Sequence, residues 1–192
     1  MTPYAALFEG RDRQVVREVL VLTAAIVLLA VSARAAIPFY PVPLTLQSLV
    51  AIGLGLTLGP ARGAAAVLAY LGFAAAGLPV LAGTPERGIG LAYMAGPTGG
   101  YLAGFVLAAL VAGMLSARGW SRTPWQAALA ALAATIALYV PALLWLGLYT
   151  GYGPQLLEAG VYPFMPGDLF KAGLAAAGFP LAWAALERAL RA

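Results

Sequence analysis

Asp168 and Lys171 stand three residues apart in the stretch Phe164-Met165-Pro166-Gly167-Asp168-Leu169-Phe170-Lys171, and Lys171 is the only lysine in the chain. A carboxylate accepts N–H bonds, and an ammonium donates to carbonyl or anionic oxygens. Both groups open an apolar segment of membrane-spanning composition, where ionisable side chains are costly and mark functional sites. Asp168 follows Pro166-Gly167 and suits a helix N-cap, its charge matched to the helix dipole. Capping does not account for Lys171. An ammonium in the first turn opposes the dipole, and an i,i+3 pair with Asp168 recovers only about 0.2–0.5 kcal/mol. Lys171 therefore either snorkels to the outer surface or receives a ligand oxygen while Asp168 accepts ligand N–H groups.

Two further stretches carry polar groups into apolar surroundings. Gly96-Pro97-Thr98-Gly99-Gly100-Tyr101 precedes an apolar segment. It lacks the Gly-Lys-Ser/Thr ending of a phosphate loop. Its glycines allow close backbone approach, and Thr98 and Tyr101 offer hydroxyls, so a binding role is expected. Gly96, Gly100, Gly104, Ala108 and Ala112 recur every four residues, a small-residue row that also predicts helix packing. Pro41-Val42-Pro43-Leu44-Thr45-Leu46-Gln47 fixes an extended approach to a helix start. Thr45 and Gln47 are two apart and cannot share a narrow helix face. One of them caps the helix or bridges to a neighbour, and Gln47, whose amide donates and accepts, is the better candidate to meet a ligand. Phe39, Tyr40, Tyr93, Tyr101, Trp145, Tyr149, Tyr152, Tyr162 and Phe164 crowd the same side. An interfacial belt predicts this, and so does an aromatic-walled pocket; Tyr93, Tyr101 and Trp145 are the expected walls.

The elements that must hold these groups are membrane helices. The chain has 192 residues, 62% of them hydrophobic and 9% charged, with a mean hydropathy of +0.89. The net charge of +4 is spread as single arginines over short loops, which excludes a nucleic-acid patch. With neither cysteine nor histidine, the sequence excludes disulfides, Cys/His metal sites and Ser-His or Cys-His nucleophile pairs. An all-α, polytopic bundle of six transmembrane helices is expected, with spans near residues 16–36, 44–58, 63–78, 101–117, 125–148 and 169–190. Gly59-Pro60 breaks the chain between the second and third.

Arg11, Arg13, Arg17, Arg62, Arg118, Arg122, Arg188 and Arg191 fall on the side of the N-terminus; Arg34, Arg87 and Lys171 fall opposite. Positive residues favour the cytoplasm, which places both termini there. Arg11, Arg13 and Arg17 with Ala33-Arg34-Ala35 have the outline of a signal peptide, but further spans follow and cleavage is not expected. The outer connections 79–100 and 149–167 are long and poor in charge, as binding loops or lids are. The first span is rich in small residues, among them Ala24, Ala25, Ser32, Ala33 and Ala36. Their close contacts are either internal or with a partner. A single membrane-embedded domain over residues 1–192 is expected.

The Pro41–Gln47 stretch, the Gly96–Leu102 stretch and the Pro163–Asp168 stretch with Lys171, in this order and spacing, resemble the signature stretches of the BioY family. These are the biotin-binding S components of energy-coupling factor (ECF) transporters. The resemblance covers nearly the whole chain. It implies a six-helix protein of a bacterial or archaeal cell membrane that captures biotin on its outer face. It implies partners, too: a transmembrane coupling protein and two ATPase subunits, with no cofactor of its own. It assigns Asp168 and Lys171 to the acidic and basic ligand positions. Gly96, Pro97, Thr98, Gly99 and Tyr101 would line the pocket, Phe164 lies in the same signature, and the small residues of the first span would dock the partner. The segment Thr84-Pro85-Glu86-Arg87-Gly88-Ile89-Gly90 departs from the family in being more charged and less glycine-rich. An S component for another vitamin is the alternative. An intramembrane enzyme using Asp168 and Lys171 as acid and base has little behind it without histidine, cysteine or a metal cluster.

Overall fold

A computed structural model describes Thr2 and residues 14–82 and 89–191. Arg11, Arg13 and residues 84–88 of the charged outer segment lie outside the described residues. The described chain runs α1 (Gln14–Arg34), β1 (Ala36–Ile37), β2 (Leu44–Thr45), α2 (Gln47–Leu58), α3 (Pro60–Ala75), α4 (Leu91–Met94), α5 (Gly99–Ala117), α6 (Pro124–Thr150), α7 (Pro154–Gly160) and α8 (Met165–Arg191). Six of these, α1, α2, α3, α5, α6 and α8, are the expected spans. The short α4 and α7 lie within the two outer connections, which are therefore partly helical.

Among the described residues, three helices are both long and apolar enough to cross a membrane: Val15–Arg34, Gly99–Ala117 and Pro124–Thr150. The others reach the bundle differently. Helix α2 has 12 residues, about 18 Å of rise. The expected span from residue 44 is corrected here, because Leu44 and Thr45 are extended and pair antiparallel with Ile37 and Ala36. Prolines 41 and 43 cannot donate backbone hydrogen bonds, so this approach is a hairpin rather than a helical turn. Leu46 closes it, donating its N–H to Ala35 O at 3.3 Å. Gly59, with φ of 87°, ends α2, and Pro60 starts α3 three residues earlier than expected.

Helix α5 is the axis of the bundle, packed most extensively on α6 and then on α2 and α3. Close approach requires its glycines: a Cβ on Gly104 would lie 2.5 Å from Leu138 O, and one on Gly100 2.4 Å from Pro141 O. Ala108, Ala109, Ala112, Ala130, Ala134 and Ala142 are fully buried in the core. Small side chains that let backbones meet drive helix association in lipid, where apolar burial between helices contributes little.

Helix α8 packs on α6. At the inner end Trp183 donates to Ser121 Oγ at 2.9 Å, and Ser116 Oγ donates to Leu56 O at 2.6 Å and lies 3.0 Å from Ser121 Oγ. The Arg122 guanidinium sits 4.4 Å from the Trp183 ring centroid, and its Nη1 is 4.0 Å from Glu187 Oε1. This cluster joins α2, α5, the α5–α6 turn and α8 at one level.

Candidate functional site

The outer start of α8 departs from the capping expectation. The helix begins at Met165, and Asp168 already donates its N–H to Phe164 O at 2.9 Å. Asp168 thus lies inside the first turn rather than at the N-cap, and Lys171 falls one turn further in. A carboxylate relieved of capping is free to face the bundle. Its Oδ2 accepts from the Tyr139 hydroxyl of α6 at 2.5 Å, and its Oδ1 lies 3.1 Å from Lys171 Nζ. Lys171 also donates to Ser48 Oγ of α2 at 2.8 Å. Both charged side chains are close to nine-tenths buried, at 11% and 12% exposure. Snorkelling is overturned, because the ammonium turns inward to partners on α2 and α8. A buried charge is tolerated when it is paired and hydrogen-bonded, and each member of this array is.

The array forms one wall of a cavity with an empty volume of about 480 Å³, part of it open to solvent. Gln47 also lines the cavity; it is 3% exposed and donates through Nε2 to the Tyr70 hydroxyl at 2.7 Å, and Tyr70 in turn donates to Val80 O at 2.8 Å. Thr45 Oγ1 accepts the Gln47 N–H at 3.3 Å and lies 3.3 Å from Gln47 Oε1. Leu46 is the N-cap of α2 and carries no side-chain cap bond; Thr45 instead receives the first N–H of the helix, and Gln47 bridges to Tyr70. Both reach the cavity although they are two residues apart, because Thr45 belongs to β2 and Gln47 opens α2. Tyr101 anchors the aromatic wall, donating to Gly160 O at 2.6 Å and meeting Phe164 at 5.7 Å and Tyr139 at 6.4 Å between ring centroids.

Of the expected ligand-binding residues, Asp168, Lys171, Gln47, Thr45, Tyr93, Thr98, Tyr101 and Phe164 come together around this cavity. Gly96, Pro97, Gly99 and Trp145 do not line it, and their expected place is corrected. Trp145 points away, donating to Gly96 O at 2.9 Å, while the Tyr149 hydroxyl donates to Ala95 O. A Cβ on Gly99 would lie 2.1 Å from Met94 O and 3.0 Å from Trp145 Nε1. These residues seal the turn before α5 against α6, one shell outside the cavity. Ser48, Thr135 and Tyr139 are lining residues that sequence reasoning missed. Thr135 and Tyr139 are an i,i+4 pair in an otherwise apolar span, a signal that would have placed both on one face. Among the described residues no three His, Cys, Asp or Glu side chains group to hold a metal ion.

The small residues of α1 divide. Ala25, Ser32 and Ala33 are buried within the bundle, and Ser32 donates to Leu29 O at 2.8 Å. These three face the chain's own helices and not a partner, which corrects their expected docking role. Ala24 of α1 is exposed, and so is Ala36, which lies beyond the helix in β1. Adjacent residues on a helix point about 100° apart, so Ala24 and Ala25 face different ways.

The sequence matches the model of the BioY family over residues 5–188. The chain belongs to the BioY family. It is 40% identical over 157 residues to a biotin transporter BioY of Rhizobium etli, covering 74% of this chain and 82% of that one. A probable biotin transporter BioY of Pyrococcus horikoshii is 35% identical over 159 residues, covering 83% and 91%. The fold is similar to a crystal structure of the S-component for biotin from an ECF-type ABC transporter, with a TM-score of 0.73, 25% identity and 95% of each chain covered. As a BioY member the chain is a multi-pass, all-α membrane protein. Its cavity offers a carboxylate acceptor, an ammonium donor, an amide that does both, and aromatic walls. That set suits a small ligand with N–H donors, a polar oxygen and an apolar body.

Proposed function

We propose that this chain is the substrate-capture subunit of an ECF vitamin transporter, a single membrane-embedded domain that binds biotin from the outer face. The observation that carries this reading is the Tyr139–Asp168–Lys171–Ser48 array set into one wall of an aromatic cavity. Biotin has a ureido ring with two N–H donors and a carbonyl, an apolar thioether ring and a carboxylate. Asp168 accepts ureido N–H groups, Lys171 donates to a ligand oxygen, and Tyr101 and Phe164 flank the apolar ring. The relatives named as biotin transporters and the S-component for biotin of the same fold support the choice of vitamin.

No bond is made or broken in this role, so the chain acts as a binding subunit rather than an enzyme. The sequence carries no nucleotide-binding loop, and energy for release into the cell comes from a partner module: a transmembrane coupling protein with two ATPase subunits. The arginine distribution supports both termini on the cytoplasmic side of a bacterial or archaeal cell membrane. The exposed Ala24 remains available on α1 for that partner.

Calorimetry of biotin with the detergent-solubilised protein tests the reading. Wild type binds tightly. Lys171→Ala leaves Asp168 buried without its cation and loses at least tenfold, one charge-assisted bond being worth about 1.5–3 kcal/mol. A folded wild type that ignores biotin and binds another vitamin would move the assignment to that vitamin.

A further inference from the structure

Tyr139 has two sides. Its hydroxyl is given to Asp168 Oδ2, and the residue lines the ligand cavity. It also lines a groove on the outside of α6, with Ile136, Val140 and Leu144 of that helix and with Tyr152 and Leu156 from the segment that follows. The groove has an empty volume of about 610 Å³ including open solvent. Its wall is closely fitted: a Cβ on Gly147 would lie 2.2 Å from the Tyr152 ring, and the Tyr152 hydroxyl donates to Leu144 O at 2.8 Å. With both tyrosine hydroxyls engaged on the protein, the groove presents hydrocarbon and ring surface. Ile136, Val140 and Leu144 are exposed, on a helix long and apolar enough to cross the membrane. Thr150 ends α6 on the outer side, and Leu144 and Ile136 stand about 9 and 21 Å below it along the helix. That is the depth of the outer leaflet's chains.

We infer that this groove binds one acyl chain of an outer-leaflet phospholipid, and that the chain, packed on the outer side of Tyr139, steadies the hydroxyl that orders Asp168. The groove is continuous with the face that α6 turns to the bilayer, so lipid is the neighbour already present there. Its lining offers neither charge nor a vacant donor to a headgroup or a polar peptide, and a flexible hydrocarbon chain is the occupant that matches it. An empty groove leaves the ring of Tyr139 without contacts on that side, and a chain supplies them. Ordering of Tyr139 that the chain has already brought about need not be brought about again when the cavity is filled, which makes the two occupants favour each other. The effect on biotin rests on the proposed function; the seat for the chain does not.

The test uses the full chain in a steroid-based detergent, which brings no flexible chain of its own. Dioleoyl phosphatidylcholine carrying a photoreactive diazirine at mid-chain is added below saturation, and its adducts are mapped by mass spectrometry with and without biotin. Calorimetry measures biotin with and without unlabelled dioleoyl phosphatidylcholine. In wild type the adducts concentrate on Ile136, Val140, Leu144 and Leu156 over Val27 and Leu28, which are exposed on α1. Lipid tightens biotin binding about fivefold, and biotin raises the adduct yield in the groove by the same factor, since coupling between sites is reciprocal. Val140→Trp fills the groove and abolishes both the adducts there and the effect of lipid on biotin. Val27→Trp, the same change on another lipid-facing helix, alters neither. Tyr139→Phe keeps the adducts and loses their response to biotin. Adducts spread evenly over α1 and α6 overturn the site, and so does a groove shielded from lipid by a second copy of the chain. Groove adducts with a biotin affinity indifferent to lipid overturn the link through Tyr139. A wild type that binds no biotin with or without lipid removes the proposed function, while the adduct pattern still decides the seat of the chain.

Discussion

Tyr139 of α6 gives its hydroxyl hydrogen to Oδ2 of Asp168 on α8 across 2.5 Å, while Lys171 holds Oδ1 of the same carboxylate at 3.1 Å. The acid is therefore fixed on both sides before any ligand arrives. Ordering the acceptor in advance lowers the entropy that binding must overcome.

Tyr139→Phe keeps the ring against Tyr101 and removes only the donor. Asp168 is then held on one side alone. Biotin affinity is expected to fall about tenfold, as for one bond to a charged group, and the thermal midpoint falls as well, because the buried carboxylate loses a donor. Calorimetry and a melting curve on the same sample check this. Undiminished affinity would show that the hydroxyl has no part in ordering the site.

Ser48→Ala removes the partner of Lys171 on α2 and leaves the ion pair with Asp168. The ammonium keeps one anchor, so the loss is smaller, about fivefold for roughly 1 kcal/mol. The ranking is the measurement that matters: Lys171→Ala must be worse than Ser48→Ala. The reverse order would mean that the ammonium acts mainly as a brace between α2 and α8.

Trp145→Phe separates the outer shell from the cavity. The indole N–H on Gly96 O is lost, and Trp145 is 37% exposed. The expected outcome is a lower melting temperature, from a bond worth about 1 kcal/mol, with biotin affinity within about threefold of wild type. A large loss of affinity at unchanged stability would bring Trp145 back into the binding site.

Trp183→Phe tests the inner cluster. The donor to Ser121 disappears while Ser121 Oγ keeps Ser116 Oγ at 3.0 Å, so the cost is that of one bond, about 0.5–1.5 kcal/mol. The melting point falls and biotin affinity holds, since the site lies at the other end of α8. Equal losses in both measurements would join the two ends into one unit.

How much of this could be read from the residues differs by element. The six main helices were legible, because long apolar runs and the Gly59-Pro60 break are strong signals. Asp168 and Lys171 were legible because charge in an apolar run has few innocent explanations. The hairpin was not: two-residue strands are too short for alternation to show, and Leu44-Thr45 reads equally well as a helix start. The onset of α8 at Met165 was missed because Pro166-Gly167 resembles a boundary, although proline is accommodated in a first helical turn. Ser48 and Tyr139 were hidden for another reason. Their value comes from which helices meet, and hydropathy along one span carries nothing about its neighbour. Trp145 shows the converse, a residue of the right type that its helix turns outward.

The brevity of α3 has a consequence for the surrounding lipid. Helices α2 and α3, with 12 and 16 residues, supply about 18 and 24 Å of helical rise; α6, with 27, supplies about 40 Å. Helix α2 is buried or half-buried throughout, so the short element that lipid meets is α3, through the exposed Leu68 and Phe73, and the apolar girdle is thin there and tall along α6, around a hydrocarbon core of about 30 Å. Lipid beside the thin side must pinch inward or the whole body must lean, at fractions of a kcal/mol per Å of mismatch. Acyl-chain length therefore becomes a control on the resting tilt of this protein, and with it on the angle at which the cavity mouth meets the outer surface.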